Sequence, residues 1–216
     1  HKITCASAMT SKTATMNLAA ARYLDKWILE EKPIYVALLA TIPASQRIAL
    51  GRAVTYFRVV RNLRRSSEEK LGVPRFEPLR QCLDAITRED VSNERFVATT
   101  IALARMIASQ YGGKNYISLA SKLLWMRFRH PVVIYDSRVQ TALCTPVGDY
   151  HAYVKSWHEC YTVKETAIRS ACESLTGSLP TLKCGTTITE DQVRQIADQE
   201  WFRRRVMDMF IWMRAA

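Results

Sequence analysis

Apolar residues recur at helical spacing along almost the whole chain. Between Thr15 and Glu31 they fall at Leu18, Ala21, Leu24, Trp27, Ile28 and Leu29, and Pro33 is expected to break that helix. Ile34 to Ala40 predicts a second, short helix. Ile42-Pro43-Ala44-Ser45 reads as a turn, with Ser45 capping a long helix to about Leu63. The polar, broken stretch 64–74 predicts an exposed loop, and Glu77 to Ile86 a short helix. Ser92 is expected to cap a helix that runs to about Tyr111 and stops at Gly112-Gly113.

The second half continues in the same period. A helix with its entry turn covers Ser118 to Arg129, and Pro131 to Ile134 is extended. Asp136 or Ser137 caps a helix through Leu143, and Asp149 opens one to about Leu175 with a break expected near Thr162. After a loop at 179–187, Thr189-Glu190-Asp191-Gln192 supplies a cap and an acidic first turn for a final helix to Met213. The only strand candidate, Val132 to Tyr135, is too short for a sheet. The expected fold class is therefore all-α, without internal repeats.

Composition narrows the partners. With 216 residues the chain forms one large domain or two small lobes. Lys and Arg outnumber Asp and Glu by 31 to 20, a formal net charge of +11, which favours nucleic acid or an anionic membrane. No apolar run reaches the roughly 18 residues of a membrane span. No basic segment with a long apolar core marks a signal peptide. The cysteines at 5, 82, 144, 160, 172 and 184 form neither Cys-x-x-Cys nor zinc spacing, so buried thiols in a reducing cytoplasm are expected. Neither a metal nor an organic cofactor is expected.

The chemistry concentrates in Gly112-Gly113-Lys114-Asn115-Tyr116-Ile117-Ser118-Leu119-Ala120-Ser121-Lys122, followed by Val133-Ile134-Tyr135-Asp136-Ser137-Arg138-Val139. One helix ends in two glycines, a short turn follows, and a second helix begins. Small residues in such a hairpin let backbone N–H groups approach a DNA phosphate, and the helix N-terminus adds a favourable dipole. This pattern resembles the helix-hairpin-helix DNA glycosylases, and within them the 8-oxoguanine-glycosylase-like fold. There the hairpin reads Leu-Pro-Gly-Val-Gly-x-Lys, and an aspartate follows in Pro-Val-Asp-x-x-Val. The close match covers about residues 96 to 143. Ser118 and Ala120 stand in place of the two hairpin glycines, and the lysine-to-aspartate spacing is about one helical turn shorter than the family's. No four-cysteine iron–sulfur set follows.

The resemblance implies a two-lobed helical bundle with a cleft between the lobes. As a single glycosylase-like unit it would divide into an early lobe at about 13–90, a hairpin-bearing lobe at about 91–176 and a C-terminal helix at about 189–213. It implies a monomer that flips and excises a damaged or modified base from double-stranded DNA. A related bacterial group extends the expectation to hypermodified cytosine in phage DNA, as antiviral defence. Lys122 would be the Schiff-base nucleophile, and Asp136 would stabilise oxocarbenium charge on the sugar. Ser118, Ala120, Ser121, Lys114 and Arg138 would contact DNA. Arg203-Arg204-Arg205 and Arg58, Arg61, Arg64 and Arg65 are further phosphate candidates, or simply solvated faces. Tyr135, Trp125, Trp157 and His158 are candidates for the base pocket, alongside Tyr116 and Tyr153, with core packing the alternative for each. Gln46 and Arg47 are wedge candidates. Two other readings remain open: a non-catalytic helix-hairpin-helix DNA-binding module, and a helical effector that binds RNA or protein.

Overall fold

A computed structural model of the protein describes residues 15–59, 63, 72–113 and 115–215. Every regular element among them is helical, and no strand forms. In chain order these are α1 (Met16–Lys26), a π-helical turn (Trp27–Glu31), α2 (Lys32–Leu38), α3 (Pro43–Tyr56), α4 (Glu77–Asp84), α5 (Phe96–Tyr111) and α6 (Ile117–Phe128). They continue as α7 (Ser137–Ala142), α8 (Tyr150–Glu173), α9 (Leu175–Ser178), α10 (Glu190–Ala197) and α11 (Glu200–Arg214), with single 3-10 turns at Glu89–Val91 and Leu179–Thr181. No described helix is long and apolar enough to cross a membrane.

Several boundaries differ from the periodicity, each for a local reason. Pro33 does not end helicity: the π turn precedes it, and α2 includes it near its start, where a missing N–H is cheapest. Pro43, not Ser45, organises the start of α3. It occupies the first turn behind Ile42, which caps without a side-chain bond. That helix stops at Tyr56 rather than Leu63 because Arg58 turns left-handed (φ 55°). Arg58 N–H then donates to Thr55 O and Val59 N–H to Val54 O, a Schellman closure with Val54 and Val59 both buried. Thr162 does not break α8, because its hydroxyl donates to the His158 carbonyl one turn back. The expected last helix is two, parted at Asp198-Gln199, where Arg203 Nε donates to the Ala197 carbonyl at 3.0 Å. Its start is as expected: Thr189 and Gln192 form a reciprocal capping box.

The chain forms two compact units, and they do not follow chain order. Among the described residues, one gathers those up to Glu31 with those from Asp136 onward; the other gathers those from Lys32 to Tyr135. The divisions between these units fall at Glu31/Lys32 and Tyr135/Asp136. In the first unit α1 packs on α11 and α8, and α7 packs on α11. Ala19 and Ala20 are fully buried, and the Tyr23 ring meets Phe202 at 5.2 Å. In the second unit α2 packs on α3 and α6, and α5 packs on α4 and α6. Leu103, Ile107, Leu119, Leu123 and Leu124 fill its interior, and the extended segment Val132–Tyr135 is buried at every residue.

Candidate functional site

Helix α5 ends where Gly112 adopts φ 93°, a conformation glycine adopts without strain. After a short turn, Asn115 Oδ1 accepts the Ile117 N–H at 3.0 Å and α6 begins. Helices α5 and α6 thus follow one another on either side of this stretch; Lys114 lies outside the described residues.

Serines at the first turn of α6 grip the extended segment that follows the helix. Ser121 Oγ, fully buried, accepts the Tyr135 N–H at 2.9 Å, and Ser118 Oγ donates to the Tyr135 carbonyl at 3.2 Å. Both backbone polar groups of Tyr135 are thus held by two hydroxyls one helical turn apart. Ser118 Oγ also accepts from Lys122 Nζ at 2.8 Å. The hydroxyl proton of Ser118 is committed to Tyr135, so the amine must be the donor in that contact. Lys122 is only 6 % exposed, and its amine lies 5.9 Å from the Phe57 ring centroid. Ser118 and Lys122 stand four apart, the spacing that places them on one helix face. The sequence held that signal, but nothing in it showed the face to be buried.

Ala120 and Ser121 are both fully buried, and the Ala120 amide donates to Tyr116 O. Their side chains are enclosed in the interior. Tyr135 and Trp125 are likewise buried within this unit.

Asp136 is the residue after the clasped Tyr135 and the first residue of the other unit. It caps α7, its Oδ1 accepting the Arg138 N–H at 3.0 Å, and the residue is half-buried. Its backbone is hydrogen-bonded by the Tyr153 phenol, whose pKa burial pushes well above the usual value. Arg138 is exposed, with its guanidinium 4.6 Å from the Trp212 ring.

The basic run on α11 is not a solvated stripe. Arg203 closes the α10 carboxyl end and pairs with Asp198 at 3.1 Å. Arg204 is 5 % exposed, with Nη2 3.1 Å from His158 Nε2 and its guanidinium 5.1 Å from the Trp157 ring. Burial lowers its pKa, against the charge of Glu200. Arg205 bridges Glu31 at 3.3 Å and Asp208 at 2.8 Å. Asp208 also accepts the Trp157 indole N–H at 2.6 Å, and Tyr23 donates to Glu31 at 2.9 Å. Burial works against the charge of Arg205, but Glu31, Tyr23 and Asp208 outweigh it and hold the guanidinium protonated. Burial pushes Asp208 upward, countered by Arg205 and the indole donor. Trp157, fully buried and stacked on Tyr161, and half-buried His158 belong to this interior network.

Arg61, Arg64 and Arg65 lie outside the described residues. Arg58 is exposed at the α3 turn. Gln46 and Arg47 lie in the first half of α3, where Arg47 pairs with Glu77 at 2.8 Å. Arg47 also borders an open groove of about 920 Å3 within the Lys32–Tyr135 unit, a feature no sequence signal announced.

Compared with protein-family models, curated proteins and solved structures, the chain matches none.

Proposed function

We propose that the protein is a DNA glycosylase of the helix-hairpin-helix type, excising a damaged or modified base. The observation that carries this reading is the Ser118–Lys122–Tyr135 clasp. It holds the amine of a buried lysine near the start of a hairpin helix, and it fixes the peptide immediately before Asp136.

The two residues have distinct tasks in this chemistry. The deprotonated Lys122 amine bonds to the anomeric carbon of the deoxyribose as the glycosidic bond breaks. The base departs with the bonding electrons and collects a proton. Positive charge builds on the sugar in that transition state, and the Asp136 carboxylate offsets it. Excision on duplex DNA also requires the target nucleotide to leave the stack, and the +11 net charge favours the polyanion that must be held meanwhile. The nitrogen then loses its extra protons and the C1′–O4′ bond opens, its electrons and a proton going to O4′, which leaves an imine at Lys122 that permits strand cleavage.

The test uses duplexes carrying oxidised purine, alkylated purine or hypermodified cytosine, each heated in alkali after incubation to reveal abasic sites. A parallel arm traps imine on an abasic-site duplex with borohydride, which needs no knowledge of the base. A trapped adduct that disappears in Lys122→Ala supports the nucleophile. An adduct that survives Lys122→Ala assigns the chemistry to another amine. Tight binding without excision or trapping on any duplex turns the protein into a DNA-binding module.

A further inference from the structure

We infer that the groove on α3 is a binding site for a single DNA strand. It takes from the proposed function only that the partner is DNA, and needs no base chemistry. One wall is the face of α3 bearing Arg47, Ile48, Gly51, Arg52 and Thr55; the other is the segment Pro74–Phe76. Positions 44 to 55 recur along one side of the helix, so the trough is about 17 Å long at 1.5 Å per residue. That is the length of about five stacked nucleotides at 3.4 Å each.

The floor is apolar and aromatic. Gly51 permits this: a Cβ there would sit 2.9 Å from Phe76 Cε2, so the ring lies directly against the helix only because the side chain is absent. Ile48 is left 61 % exposed beside it, and Tyr56 borders the far end.

The rims are cationic. Arg52 is exposed and, among the described residues, makes no hydrogen bond or ion pair. Across the groove Arg75 donates to Leu63 O at 3.2 Å and lies 5.6 Å from the Phe76 ring, while its buried Nε has no acceptor among the described residues. Arg47 is partly neutralised by Glu77, but among the described residues no carboxylate lines the groove itself.

An apolar, aromatic floor between two cationic edges fits a chain with flat hydrophobic faces and regularly spaced negative charge. A single strand presents both, its bases against Ile48, Tyr56 and Phe76 and its phosphates at Arg52 and Arg75. A duplex cannot, because its base faces are stacked inside it.

The test is fluorescence anisotropy of a labelled oligothymidylate of about eight nucleotides with the full chain, across a salt series. Arg52→Glu should weaken binding about tenfold and flatten the salt slope by roughly 0.7 for each phosphate left without its cation. Phe76→Ala should weaken binding severalfold with the salt slope unchanged, since stacking is not electrostatic. Wild-type affinity and slope in Arg52→Glu overturn the assignment. So does an equal loss on an undamaged duplex, which makes Arg52 a general phosphate ligand, or a preference for oligouridylate, which makes the ligand RNA. Strand binding without excision leaves the groove standing and removes the glycosylase. Excision by a protein that ignores the oligothymidylate does the reverse.

Discussion

Replacing Ser118 by Val, with Thr as the matched control, tests whether its hydroxyl organises the lysine. Val and Thr share a shape and a β-branch, so the pair isolates one oxygen. Val removes the donor to the Tyr135 carbonyl, a neutral bond worth about 1 kcal/mol net. It also removes the acceptor for Lys122 Nζ, a bond worth about 1.5–3 kcal/mol when the amine is charged. The sum is about 2.5–4 kcal/mol, placed where Lys122 is only 6 % exposed and water replaces the bond poorly. A folded Val protein should therefore melt lower by roughly 5–15 °C, at 2–4 °C per kcal/mol for a chain of this size. Its larger effect should be on chemistry: an amine displaced by about 1 Å can lose on the order of 100-fold in attack rate. Borohydride trapping on a saturating abasic-site duplex should slow about 10- to 100-fold in Ser118→Val, with DNA affinity changed less than about twofold, and Ser118→Thr should restore it. Trapping by Ser118→Val at the rate of Ser118→Thr would refute a positioning role for the hydroxyl. An equal loss in both variants would put the effect in the side-chain shape.

Asp136→Asn should keep the α7 cap, since Asn caps as well as Asp, but lower excision about 10²–10³-fold; near-wild-type excision would end the catalytic assignment. Arg205→Met should leave the buried Glu31 and Asp208 carboxylates without their guanidinium, costing about 3–5 kcal/mol and roughly 6–20 °C in melting temperature. A melting temperature within about 2 °C of wild type by circular dichroism would show the network to be dispensable. Glu77 is held at about 2, chiefly by its hydrogen bond from Arg80, with Arg47 adding to it. A depressed carboxylate contributes stability that is present above its unfolded pKa and lost as pH falls through the folded one. Urea midpoints measured from about pH 5 down to about pH 2 should thus fall less steeply in Glu77→Gln than in the wild type; parallel curves would remove Glu77 from the acid response.

The sequence by itself determined what depends on neighbours within about one helical turn. The 3.6-residue period predicts an all-helical chain. Local chemistry also set the stop at Gly112, the cap at Asp136 and the box at Thr189 and Gln192, because each closes within a few residues. Even the Ser118–Lys122 hydrogen bond is legible as an i, i+4 pair once the helix is assigned. The tertiary structure decided everything that depends on which face is covered. Arg203-Arg204-Arg205 has the composition of a phosphate-binding stripe, yet Arg205 meets Glu31 across 174 residues of sequence, and no local pattern encodes such a partner. Trp125 and Trp157 carry identical signals as pocket walls or as core, and only packing resolved them as buried. Ser121 reads as a polar hairpin residue but is enclosed, because the extended segment ending at Tyr135 returns to use its hydroxyl. The joining of α1 to the chain beyond Asp136 follows from packing α1 on α11, with Tyr23 against Phe202, a complementarity in space that neither stretch of sequence contains alone.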